Sequence, residues 1–197
     1  MSLLLGQLVY KMGQIEELFF EEPNERFHIR GVSRLLKIPK TTVSYTVHKL
    51  VQDGLVTTEK NVFTMFKANI DHPLYKHLKK AFLIQKIIRS GILEYIESNV
   101  YPHCIILYGS VAQGSYTSQS DIDLFVQSSA IELKTEKFAT KIGHNINILF
   151  EPKLNEISFE LLNNLINGEV MKGYLQLHDP QLARMQKTSA SSKTRSK

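Results

Sequence analysis

The chain has 197 residues, 43% of them hydrophobic, with 24 Lys+Arg against 19 Asp+Glu and a formal charge of +5. That length suits one ordinary domain or two small ones, and no run of about eighteen apolar residues is present to span a membrane. The single cysteine, Cys104, cannot close an internal disulfide; with no C-x-x-C or H-x-x-x-H spacing to hold structural zinc, the expected setting is a reducing cytoplasm. The opening "MSLLLGQLVY" is apolar but lacks a basic n-region and a small-residue cleavage site, so it does not read as a signal peptide.

Charge is unevenly placed. Between Arg26 and Arg89 there are 13 Lys+Arg and 3 Asp+Glu, a surplus of +10, and the remainder carries −5. A cationic segment on a mildly anionic chain points to a polyanionic partner; a solvated basic surface gives the same count.

Leu5, Leu8, Val9, Met12, Ile15 and Phe19 recur at steps of three and four, which predicts an amphipathic helix ending before Pro23. Two further helices follow. The first has Ile29, Val32, Leu35 and Leu36 on its apolar face and is broken by Pro39. The second is capped by Thr41, turns Val43, Val47, Leu50 and Val51 inward, and closes at Gly54. "LVTTEK" and "VFTMFKAN" then read as a hairpin. This order of helix, turn, helix and hairpin resembles the winged helix-turn-helix family. The resemblance implies DNA as partner, contacted by the outward positions Lys40, Thr42, Ser44, Tyr45, His48 and Lys49 of the second helix, which offer short donors, an aromatic ring and cations. A protein-docking or dimerisation role fits the same pattern.

Beyond Asp71-His72-Pro73, with the proline at the first helical position, "LYKHLKKAFLIQKIIRS" and "ILEYIESNV" read as a helical connector that pauses at Gly91, its apolar stripe being Leu74, Leu78, Ala81 and Phe82. Past Pro102 the period becomes that of strands: "CIILY", "DIDLFV" and "NINILF". "LKTEKFATKIG" reads as a helix between them, and "EISFELLNNLINGEV" as one after them, with Leu161, Leu162, Leu165 and Ile166 in its core stripe. Cys104 falls in a core strand, and His103 and His144 flank strands at surface or edge positions. "KTSASSKTRSK" has nothing to bury and reads as disordered.

The chemistry is concentrated in "LYGSVAQGSYTSQSDIDLFV". Four residues separate Gly109 and Gly114, as in a P-loop, but Ser115 stands where such a loop needs lysine. The aspartates fit better. On a strand, Asp121 and Asp123 project side by side roughly 6–7 Å apart, while Ile122 and Leu124 enter a core. Such a pair repels unless a cation lies between its members, and magnesium suits it, completing its shell with water and phosphate. Gly109 lets backbone approach a phosphate, and Ser110 offers a hydroxyl and an amide.

Tyr108-Gly109-Ser110, Gly114 and Ser120-Asp121-Ile122-Asp123-Leu124 together resemble the nucleotidyltransferases of the DNA polymerase beta type, most closely the minimal nucleotidyltransferases of archaea and bacteria. The resemblance implies an α/β (α+β) domain with a mixed sheet. It implies transfer of a nucleotidyl group from a nucleoside triphosphate to an acceptor hydroxyl, dependent on magnesium or manganese. Asp121 and Asp123 would be catalytic and metal-binding, and Gly109, Ser110, Gly114 and Ser120 would bind nucleotide. Two departures stand out. Gln113 replaces an arginine before the second glycine, and Asn147, or alternatively Asn145, occupies the place of a third carboxylate. Glu151, just past that strand, is the nearest substitute acid.

The expected organisation is a mainly helical winged helix-turn-helix domain over 1–70, a connector over 71–100, the transferase domain over 101–178 and a basic tail over 179–197. Alternative functions are a DNA-binding regulator with a nucleotide-sensing, catalytically weak transferase domain, and an antitoxin-type modifier of a companion protein. The acceptor, protein or RNA, is not specified by these residues.

Overall fold

The computed structural model describes residues 13–60, 62–154 and 157–175. Leu5, Leu8, Val9, Met12 and the 179–197 tail lie outside the described residues. The first described helix, α1, spans Gln14–Glu21 and buries Ile15, Phe19 and Phe20, continuing the predicted periodicity. Helices α2 (Ile29–Leu36) and α3 (Lys40–Gln52) and strands β1 (Val56–Lys60) and β2 (Thr64–Ala68) follow.

Local chemistry explains most of these boundaries and corrects several. Helix α2 stops at Leu36 because Lys37 turns left-handed (φ 56), before Pro39 is reached, and the Ser33 hydroxyl donates to the Ile38 carbonyl at 2.7 Å across the turn. The N-cap of α3 is Pro39 rather than Thr41: the Pro39 carbonyl already accepts from the Val43 amide, leaving no place for a threonine cap further along. Gly54 lies just past the end of α3 at φ +74, as expected. Leu35, assigned to the apolar face, is exposed; Val32 is the buried residue of α2, packed with Val43 and Val47.

Strands β1 and β2 pair antiparallel, Val56 opposite Ala68. Helix α4 (Tyr75–Ser90) starts two residues later than Pro73, because the preceding turn is closed by the Tyr75 amide on the His72 carbonyl, and Leu74 is exposed. It breaks at Gly91, left-handed at φ 87, and continues as α5 (Ile92–Val100).

Strand β3 (Cys104–Tyr108) leads into a short helix α6 (Gly109–Gln113), then β4 (Ile122–Val126), α7 (Glu136–Ile142), β5 (Ile146–Phe150), α8 (Phe159–Ile166) and β6 (Glu169–Gly173). The sheet order is β5-β4-β3-β6. Strand β4 runs antiparallel to β3 and parallel to β5, and β6 pairs antiparallel with β3, so the sheet is open and mixed. Strand β6 replaces the end of the predicted last helix: "NGEVMKG" leaves the helix at Asn167, and Ile166 is exposed rather than in the core stripe.

Alternation sorts the sheet into two faces. Ile105, Leu107, Ile122, Leu124 and Val126 pack toward α4, α5 and α7. Cys104, Ile106 and Phe125 face the other way, with Leu154 and Leu165. Helix α4 serves two cores: Tyr75, Leu78 and Phe82 join α1–α3 and the hairpin, and Leu83 and Ile87 join the sheet. Each large apolar side chain buried this way contributes about 1.5–3 kcal/mol, so α4 is held firmly on both sides.

Candidate active site

Asp121 immediately precedes β4 and Asp123 lies within it, opposite Asn147 of the parallel neighbour β5. Because successive strand residues alternate faces, Asp123 shares the Phe125 face, and Asn145, just before β5, and Asn147, within it, meet the aspartates. The Asn147 amide nitrogen donates to Asp121 Oδ2 at 3.3 Å and to Asp123 Oδ1 at 3.2 Å, and that of Asn145 donates to Asp121 Oδ1 at 3.1 Å. The Asn147 amide thus bridges the two carboxylates, and the Asn145 amide holds Asp121 alone. Both asparagines touch the pair, although Asn147 alone is in register with Asp123.

The turn after β3 closes the site from the other side. Gly109 adopts φ +71, and a Cβ there would stand 2.6 Å from Asp123 Oδ2. A side chain is strained there by the backbone conformation, and it would push the Asp123 carboxylate aside. The half-buried Ser110 follows it. Tyr108, opposite Asp123 in the β3–β4 ladder, has its hydroxyl pKa raised, first by burial and then by the Asp123 charge.

Gly114 and Ser120 also make contacts within the fold. Gly114 is left-handed at φ +68, and a Cβ there would lie 2.5 Å from the Lys76 carbonyl, so its requirement for glycine comes from packing against α4. The Ser120 hydroxyl accepts from the Thr117 amide at 2.9 Å. Gln113 is exposed. Glu151 is four residues beyond Asn147, about 13 Å along the strand at roughly 3.3 Å per residue, and its carboxylate accepts from the Lys153 amide. It does not join the cluster. Among the described residues, no three of His, Cys, Asp and Glu gather into a metal-binding group.

A cavity of about 440 Å³ opens beside this cluster, lined by Ser118, Ser120, Asp121, Thr140, His144 and Asn145 among others. Lys137 and Lys141 of α7 turn away from it. Lys137 lies over the Tyr95 and Phe138 rings, and Lys141 donates to the Arg89 and Ser90 carbonyls.

His144, expected at a surface or edge position, is instead buried, and it joins the two halves of the molecule. Nδ1 donates to the Ser120 carbonyl at 2.7 Å and Nε2 lies 3.1 Å from Glu21 Oε1. Both partners accept only, so satisfying both requires a proton on each ring nitrogen. Burial opposes the charged ring, but the hydrogen bonds to Glu21 and Ser120 and the Glu21 charge outweigh it, and the pKa is raised from the ordinary histidine value. Nothing in the residue pattern pairs Glu21 with His144; their hydrogen bond spans 123 positions.

On the N-terminal half, Lys40, Thr42, Tyr45, His48 and Lys49 are exposed along α3 and Ser44 is half-buried. Tyr45 is 75% exposed. His48 Nδ1 bonds the Ser44 carbonyl of its own helix at 2.7 Å. Arg30, Ser33 and Arg34 of α2 line a shallow depression with Lys40, extending the cationic face.

No helix among the described residues is long and apolar enough to cross a membrane. No curated protein matched the chain in a sequence comparison. Residues 90–175, which carry the turn at Gly109, both aspartates and both asparagines, match the family model described as "Polymerase beta, Nucleotidyltransferase".

Proposed function

We propose that the chain transfers a nucleotidyl group from a nucleoside triphosphate to an acceptor hydroxyl, with magnesium or manganese as cofactor, and that its N-terminal unit is a winged helix-turn-helix that binds DNA. The observation that carries the transferase reading is the apposition of Asp123, joined to Asp121 through Asn147, to the side-chain-free turn at Gly109, inside the segment matching the family. Two carboxylates with neighbouring amides fit a hard divalent cation, which takes few carboxylates and fills its shell with water and phosphate oxygens.

Asp121 and Asp123 would hold the metal, and the Asn147 amide, which now donates to both, can present its oxygen instead. When bound, the metal supplies Lewis-acid polarisation of the phosphoryl group and charge compensation. Gly109 keeps the turn against Asp123, and Ser110 offers its hydroxyl to a phosphate there. The cavity beside Asp121 is of a size that accommodates nucleoside-sized ligands. The +10 surplus over 26–89 and the exposed cations of α2 and α3 support a polyanion as partner of the N-terminal unit.

A second reading is favoured by one observation: an amide, not an acid, is in register with Asp123. An amide supplies no charge and accepts no proton from an attacking hydroxyl. The domain would then hold nucleotide without efficient transfer, and the chain would act as a nucleotide-responsive DNA-binding regulator.

Incubation with labelled nucleoside triphosphates, magnesium and, in turn, RNA, DNA or cell protein separates the two. The transferase reading expects pyrophosphate release and label on an acceptor, both abolished in the Asp121→Ala/Asp123→Ala double variant. Magnesium–nucleotide binding without release in any mixture supports the regulator. Equal binding by wild type and the double variant would refute the site itself.

A further inference from the structure

The loop that delivers Asp121 is gripped from outside its own domain. Glu21, the last residue of α1, holds it through backbone and side chain alike. The Glu21 carbonyl accepts from the Ser118 amide at 3.0 Å, and the carboxylate pairs with His144 Nε2, whose other nitrogen holds the Ser120 carbonyl. The Ser120 carbonyl belongs to the peptide unit joined to Asp121, so the imidazole fixes the plane from which that aspartate departs. His144 also precedes Asn145, whose side chain donates to Asp121 and whose carbonyl accepts from the Ile122 amide at 2.8 Å. One ring therefore spans both strands of the site at their shared end.

The junction is built to be rigid. The His144 and Glu21 side chains are only 2% and 14% exposed, and the imidazole stands edge-on to the buried Tyr116 ring at 5.9 Å. Tyr116 is fixed in turn by its hydroxyl on the Lys79 carbonyl. The charged groups around the pair are Lys79, whose ammonium lies over the Tyr116 ring, and Lys86, which pairs with Glu17. Glu21 Oε2 is buried and has no hydrogen-bond partner among the described residues, so the contact of Oε1 with His144 is the side-chain hydrogen bond that holds this carboxylate there.

We propose that Glu21 and His144 are positioning residues: the end of α1 braces the 117–121 loop through the imidazole, so that affinity at the Asp121–Asp123 site depends on docking of the N-terminal unit. The nucleotide part of this inference rests on the metal–nucleotide reading of the aspartates; the brace itself does not.

The test uses the full chain and two readouts, magnesium–ATP affinity by calorimetry and amide hydrogen exchange over residues 118–123. His144→Phe keeps the ring against Tyr116 but removes both N–H groups. Glu21→Gln, a milder change, serves if that variant does not fold. Glu17→Gln breaks a different ion pair across the same junction and is the control. Partners that orient metal ligands are typically worth about 10–100-fold in affinity. His144→Phe should therefore weaken magnesium–ATP binding at least about tenfold and speed exchange at 118–123, with Glu21→Gln in the same direction and Glu17→Gln like wild type in both. A purely structural role would lower thermal stability in all three variants while affinity and local exchange matched wild type, and that result would overturn the proposal. Should wild type bind no magnesium–ATP, the nucleotide reading falls, and exchange at 118–123 alone decides the brace.

Discussion

The two halves of the molecule present their candidate site residues in opposite ways. On the N-terminal half, cations and an aromatic ring stand outward from α3 while Val43, Val47 and Leu50 of the same helix are buried. Exchanging Lys40, Tyr45 or Lys49 should leave that core in place, whereas His48 stands edge-on to the buried Phe66 ring at 5.7 Å. In the other half, Asp121, Asp123, Asn145 and Asn147 touch one another across two strands, under a glycine turn contributed by a third. There the side chains are set by one another. A surface built on one helix tolerates variation and tunes affinity by charge. A site built across strands is set by register, and each change in it alters both geometry and electrostatics.

The sharpest way to break that contrast is Asn147→Asp. The replacement is nearly isosteric and adds an acid in register with Asp123. Acid–base assistance is typically worth about a hundred- to ten-thousand-fold, so steady-state transfer should rise by a measurable part of that range, with steeper magnesium dependence. Asn145→Asp, out of register with Asp123, is the control and should gain less. A brisk wild type that Asn147→Asp impairs would mean that the amide itself is the working ligand.

On the outward face, Lys40→Glu with Lys49→Glu should weaken duplex DNA binding. The slope of log affinity against log salt should fall by about 2, near one for each phosphate no longer neutralised. Fluorescence anisotropy across a salt series measures it, with thermal stability unchanged. An unchanged slope would assign α3 to protein docking.

Lys79 tests the junction between the halves. It is 1% exposed, and its pKa is lowered to about 8, chiefly by burial, with Glu21 and Glu22 working the other way. The folded chain therefore sheds this proton before the unfolded chain does, so stability contributed by this group is missing below about 8 and rises with pH until the unfolded value near 10.5. The shift corresponds to about 3 kcal/mol against the charged form, offset by about 1–2 kcal/mol from the ammonium over the Tyr116 and Tyr75 rings. Lys79→Met should stabilise the chain at pH 7 by about 1–2 kcal/mol, and the gain should shrink as pH approaches 10 in denaturant titrations. The smallest effect expected is that of Tyr116→Phe, about 1 kcal/mol for one buried hydrogen bond, read from the same titrations without change at α3.

The elements that were legible in the residue pattern are those fixed by local signals. Strands "CIILY" and "NINILF" and the break at Gly91 stand where periodicity and a glycine requirement put them. The missed strand β6 and the late start of α4 are cases in which tertiary pairing or a local turn overrode propensity. "GEVMKG" becomes a strand because β3 offers it an edge, and Pro73 stays in a turn closed by His72 and Tyr75. The aspartates and Gly109 were legible because two-residue alternation and a bare glycine each leave a mark in the sequence. Gly114 carries the same mark for another reason, the backbone of α4 pressed against it.

By itself the sequence determined that Asp121 and Asp123 stand two residues apart at the start of a strand, that the cations concentrate between Arg26 and Arg89, and that no third acid stands in the Asn147 position, since each depends only on residue identity and short-range periodicity. Only the tertiary structure decided that both asparagines reach the aspartates, that Glu151 does not, and that Glu21 reaches His144 across 123 positions. Strand register and the docking of α1 are set by the summed burial of residues far apart in the chain, which leaves no periodic trace around any one of them.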